Sequence, residues 1–128
     1  MAKANSSGRA YDYPEPSAFV VDDEPQVRAF VCNVLMNAGF KPQQLSSSAA
    51  VEAALADIIP QLIVLDLSLG DSDAIEVLRI LQERHYVGDV LLISGHDEAT
   101  VAEVQRIGVR RSISMLEPLR KPFRIEHL

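Results

Sequence analysis

Three short stretches, Ala18-Phe19-Val20-Val21, Leu62-Ile63-Val64-Leu65 and Val90-Leu91-Leu92-Ile93, are apolar at every position. A strand with one wet face alternates apolar and polar side chains, so an unbroken run implies burial on both faces, as in the central strands of a parallel sheet covered by helices. Four residues are too few for a buried helix. Two weaker strands complete the set: Gln43 to Ser46, polar enough for a sheet edge, and Met115 to Leu119, interrupted by Glu117 and Pro118. The expectation is an α/β fold with a doubly wound, five-stranded parallel sheet.

The intervening segments supply the helices. Val27, Phe30, Val31, Val34, Leu35 and Ala38 recur at helical spacing, with Pro25 near the start and Gly39 just past the end. A second helix is expected from about Ser48 to Ile59, turning Val51, Leu55, Ile58 and Ile59 inward until Pro60 stops it. The third opens at Ser72 or Asp73 and buries Ala74, Val77, Leu78 and Leu81, and the fourth opens near Asp97 and buries Val101, Val104 and Ile107. The sequence stops at Leu128, where a fifth helix would begin, so that helix is expected to be largely absent. Residues 1–17, with Lys3, Asn5, Ser6, Pro14 and Pro16, follow neither period and read as a flexible leader to one domain spanning 18–128.

Composition narrows the function. No apolar run approaches the roughly 20 residues needed to cross a bilayer, and the leader lacks the apolar core of a secretory signal, which points to the cytoplasm and away from a membrane. The single cysteine, Cys32, excludes an internal disulfide and a multi-cysteine metal site. With 18 acidic against 12 basic side chains the net charge is −6, which disfavours direct nucleic-acid binding and favours divalent cations and basic partners.

In an open parallel sheet, ligands bind beyond the carboxyl ends of the strands. There the first apolar run leads into Asp22-Asp23, the next into Asp66 and the third into Ser94, while Lys121 follows the last strand. Carboxylates converging to about 4 Å repel by on the order of 4 kcal/mol per pair at an effective dielectric near 20. A positive charge is therefore expected among them. Magnesium, held by two carboxylates, a backbone carbonyl and waters, fits that requirement, and Lys121 adds a point charge. A metal, a lysine and a hydroxyl around a remaining carboxylate oxygen suit the transfer of a phosphoryl group onto that oxygen.

The run Val21-Asp22-Asp23-Glu24, Asp66 after Leu-Ile-Val-Leu, Ile93-Ser94-Gly95 and Lys121-Pro122-Phe123 together resemble the receiver domain of two-component response regulators over residues 18–128. The resemblance implies a flavodoxin-like sheet of order 2-1-3-4-5. It implies that Asp66 accepts a phosphoryl group from a sensor histidine kinase or phosphotransfer protein and switches a downstream output. Asp23, Asp66 and the backbone carbonyl of Ser68 would hold magnesium, with Asp22 acting through water. Ser94 would hydrogen-bond a phosphoryl oxygen, and Lys121 would pair with the carboxylate and then the phosphoryl group. Such a domain catalyses only its own phosphorylation and dephosphorylation.

Some features depart from the family. Gly70 and Ala74 stand in the loop region where proline and glycine are frequent, and Pro118 occupies the position of the usual aromatic switch residue, three before the lysine. The stretch from Ser94 to Lys121 is also longer than in compact members. The last two features resemble receivers joined to cyclic-dinucleotide phosphodiesterase output domains. A sheet face lacking its fifth helix would invite a homodimer or a docked following domain.

Two other functions compete. A degenerate receiver would serve as a protein-binding module, against which the complete set of acids, Ser94 and Lys121 speaks. A small phosphatase with an aspartyl nucleophile, similar to the haloacid dehalogenase family, needs Asp-x-Asp, whereas Leu67-Ser68 follow Asp66. Taken singly, Asp22 and Asp23 read as helix-capping acids, Ser94 as a strand-end hydroxyl and Lys121 as a solvated lysine. Their coincidence at one sheet edge outweighs those readings. His85, His96 and His127 read as solvated, and Cys32 as packing.

Overall fold

A computed structural model describes residues 16–67, 71–95 and 98–120, with the backbone alone at 71 and 72. The elements run β1 (Ser17–Val21), α1 (Pro25–Asn37), β2 (Lys41–Leu45), α2 (Ser48–Leu55), β3 (Leu62–Asp66), α3 (Asp71–Glu83), β4 (Asp89–Ser94), α4 (Glu98–Arg110), β5 (Ser114–Met115) and β6 (Leu119–Arg120). The sheet order is β2-β1-β3-β4-β5, with β6 also against β4, and every pairing is parallel. That is the 2-1-3-4-5 order. The expectations for a leader ending at residue 17 and for a largely absent fifth helix fall mostly on residues outside those described, although Ser17 already pairs with Lys41.

The apolar runs are buried on both faces, as their composition requires. Phe19, Val21, Ile63, Leu65, Val90 and Leu92 join one cluster with Val51, Leu55, Val77, Leu78, Leu81, Val101 and Val104 from α2, α3 and α4. Ala18, Val20, Val64 and Ile93 point the other way, against Cys32 and Leu35 of α1. The alternation along each strand thus feeds two cores.

Several boundaries differ from the sequence reading. The last strand is not one run from Met115 to Leu119: β5 pairs along Asp89–Val90 and β6 along Ile93–Ser94, with one more residue between them on the last strand than on β4. Pro118, which has no N–H to give, sits in that interruption. The edge strand begins at Lys41 rather than Gln43. Helix α2 stops at Leu55, well before Ile59, because the residue before Pro60 disfavours helical backbone. Ile58 and Ile59 are consequently 43% and 59% exposed instead of inward. On α1, Val34 and Ala38 face solvent, while Cys32 takes a buried position.

Helices α1, α3 and α4 end in the same way. In each, the second residue past the helix adopts positive φ (Gly39 +94°, His85 +55°, Ser112 +64°). Its N–H, and that of the next residue, bond back to the last turn: His85 to Gln82 and Tyr86 to Leu81 at the end of α3, Ser112 to Val109 and Ile113 to Gly108 at the end of α4. The following Tyr86 and Ile113 are buried, completing the hydrophobic contact that accompanies such ends. Only Gly39 occupies its position without a Cβ penalty. Replacing His85 or Ser112 by glycine is expected to raise stability by about 0.5–1 kcal/mol each, the relief of left-handed strain exceeding the added chain entropy. Urea denaturation checks this, and a lowered midpoint in both variants would contradict it.

Candidate functional site

The acidic edge is built by strand register. Val21 of β1 lies opposite Leu65 of β3, so the next residue on each strand, Asp22 and Asp66, stand side by side where the sheet ends. Both are fully buried, and Ser94 at the end of β4 is only 1% exposed. Carboxylates lose much hydration on burial and remain there only with compensating charge or hydrogen bonds.

Asp22 is fixed at three points. Its N–H donates to the Leu45 carbonyl at 3.0 Å, extending the β1–β2 ladder by one rung. Its carboxylate accepts the Glu24 N–H at 2.9 Å, closing an Asx-type turn. Its carbonyl accepts from the Arg28 guanidinium at 2.7 Å. Glu24 is the N-cap residue of α1, with Pro25 in the first turn, and the cap carries no side-chain hydrogen bond. Asp22 and Asp23 therefore do not act as N-caps of that helix.

Asp22, Glu24 and Asp66 each offer a carboxylate oxygen, and these oxygens lie within 4.8 Å of one another. The two buried members, Asp22 and Asp66, repel one another, while solvent screens the exposed Glu24. A set of hard oxygen donors this close fits a divalent cation such as magnesium. Asp23, expected as a direct ligand, is exposed and stands outside this trio. Glu24, the third carboxylate of that cluster, is exposed as well. The run Asp22-Asp23-Glu24 carries no local signal that separates Glu24 from Asp23; the turn that brings Glu24 to the cluster is a matter of backbone conformation.

Ser94 lies opposite Arg120 in the β4–β6 register, so Lys121, the next residue in the sequence, follows directly after Ser94's partner. Lys121, Ser68 and His96 fall outside the described residues. His127 likewise falls outside them; His85 lies just past the end of α3, and Cys32 is buried among apolar residues, where burial pushes its thiol up despite the opposing charge of Arg28.

Comparison with known proteins agrees with this geometry. The response regulator receiver domain family matches residues 18–128. The nitrogen assimilation regulatory protein NtrX of Azorhizobium caulinodans is 31% identical over 113 residues, which is 85% of this chain and 23% of that protein. The DNA-binding transcriptional regulator NtrC of Escherichia coli is 26% identical over 110 residues, 84% of this chain and 22% of that protein. The chain thus spans about a quarter of the length of these relatives. The crystal structure of the receiver domain of NtrX from Brucella abortus superposes with a TM-score of 0.69 at 28% identity, covering 85% of this chain and 88% of that one. With its sheet order, its acidic edge and this match over nearly all of its length, the chain belongs to the response regulator receiver domain family.

Proposed function

We propose that Asp66 is the phosphoacceptor of this receiver domain and takes its phosphoryl group from the phosphohistidine of a sensor kinase or phosphotransfer protein. The observation that carries the reading is the convergence of buried Asp66 with Asp22 and Glu24 at the open end of a parallel sheet, a set of oxygen donors that fits a divalent cation. An Asp66 carboxylate oxygen attacks phosphorus, the phosphorus–nitrogen bond of the donor breaks, and its electron pair stays on the departing imidazole. Magnesium supplies charge neutralisation for the incoming phosphoryl oxygens when bound. Asp22, Glu24 and Asp66 are the described carboxylates that fit it, and Asp23 and the Ser68 carbonyl would be further donors. Ser94, buried at the end of the neighbouring strand, donates its hydroxyl to a phosphoryl oxygen, and Lys121 offers its ammonium to the same group.

The domain in this reading modifies only itself. A phosphatase of the Asp-x-Asp type stays disfavoured, since Leu67 and Ser68 follow Asp66. No helix among the described residues is long and apolar enough to cross a membrane; the reading as a partner of a sensor kinase places its action in the cytoplasm. For the output, the names of the NtrX and NtrC relatives favour a linked transcriptional regulator over the cyclic-dinucleotide phosphodiesterase suggested by Pro118 and the long stretch from Ser94 to Lys121.

Asp66→Asn is expected to abolish acid-stable, base-labile labelling by a small phosphodonor such as acetyl phosphate, measured on the purified chain. Labelling that persists in this variant would move the acceptor elsewhere. Magnesium at one hundred times its dissociation constant is expected to stabilise the fold by about 2.7 kcal/mol, read as a raised thermal midpoint. Identical midpoints with and without saturating magnesium would contradict the cation site.

A further inference from the structure

The residue that holds the acidic turn from outside is Arg28. It lies on the first full turn of α1 and contacts the Asp22–Glu24 segment twice. Its backbone N–H donates to the Glu24 carbonyl at 3.0 Å, and its guanidinium donates to the Asp22 carbonyl at 2.7 Å. The other edge of the guanidinium donates to the Gln44 side-chain oxygen at 3.1 Å, on the edge strand β2. The planar fork thus bridges β1 to β2 beside the acids.

The contact with Asp22 is to its carbonyl and not to its carboxylate, and this distinction defines the role. The Asp22 carbonyl belongs to the peptide joining Asp22 to Asp23. Holding that oxygen fixes the rotation of the peptide plane, which sets where the Asp23 side chain departs and how Glu24 returns to the cluster. A carboxylate trio within 4.8 Å needs such restraint, because mutual repulsion favours the turn swinging open.

We propose that Arg28 is a positioning residue for the cation site: clamped between the Asp22 carbonyl and the Gln44 side chain, it holds the Asp22–Glu24 turn in the shape that lets these acids bind a divalent cation. The proposal rests on the reading of the acidic edge as a magnesium site and adds a residue outside its ligands. It opposes the simplest electrostatic expectation. Removing a cation from beside an acidic cluster strengthens magnesium binding by charge alone, whereas losing the clamp weakens it.

Magnesium titration by calorimetry, well below the unfolding midpoint of each protein, separates these effects. Arg28→Gln is expected to weaken magnesium binding about tenfold, the lower end for loss of a residue that orients metal ligands. Arg28→Lys, able to reach the Asp22 carbonyl but not to bridge both partners, is expected to fall between wild type and Arg28→Gln. Gln44→Ala leaves every charge in place and is expected to weaken binding in the same direction by a smaller factor. If Arg28→Gln binds magnesium as tightly as wild type or more tightly, Arg28 does not position the site, and a lowered thermal midpoint with unchanged affinity would mark it as merely structural. An absence of magnesium binding in wild type would instead remove the site reading on which the role depends.

Discussion

Two carboxylates stand side by side with no exposure to solvent because the strands that carry them are buried on both faces. Everything else in the domain follows from holding Asp22 and Asp66 there. The parallel register places them together, and the turn after β1 adds a Glu24 carboxylate oxygen within 4.8 Å. The arrangement is a set of hard oxygen donors compatible with a divalent cation.

Much of this was legible because the sequence is locally consistent with the fold. The three fully apolar runs could be satisfied only as central strands, and each runs directly into the polar residue that ends it, so the site could be placed along with the sheet. What escaped was decided by tertiary geometry. The last strand looks like one segment, but Pro118 and an additional residue divide it into two short pairings with β4. Ile58 and Ile59 follow helical spacing, yet Pro60 makes the chain leave the helix before they can turn inward.

The acidic turn shows the limit most clearly. Three consecutive acids, Asp22, Asp23 and Glu24, offer no local sign of which two approach Asp66. The answer lies in backbone conformation: Asp22 is drawn into the β1–β2 ladder through Leu45, the Asx-type turn brings Glu24 back, and Asp23 projects outward. Arg28 was equally silent in sequence, where it is one polar position on an amphipathic helix. Its contact to a backbone carbonyl across six residues depends on how α1 packs against the edge of the sheet.

The claim beneath this account is that the acidic edge opposes folding until a cation neutralises it. The most direct measurement compares wild type with Asp66→Asn in thermal unfolding, first in metal-free buffer and then at saturating magnesium. The account predicts a higher midpoint for Asp66→Asn without metal, because one of three mutually repelling charges is gone, and a much smaller response to magnesium than in wild type. A variant less stable than wild type in metal-free buffer that kept the full magnesium response would contradict it.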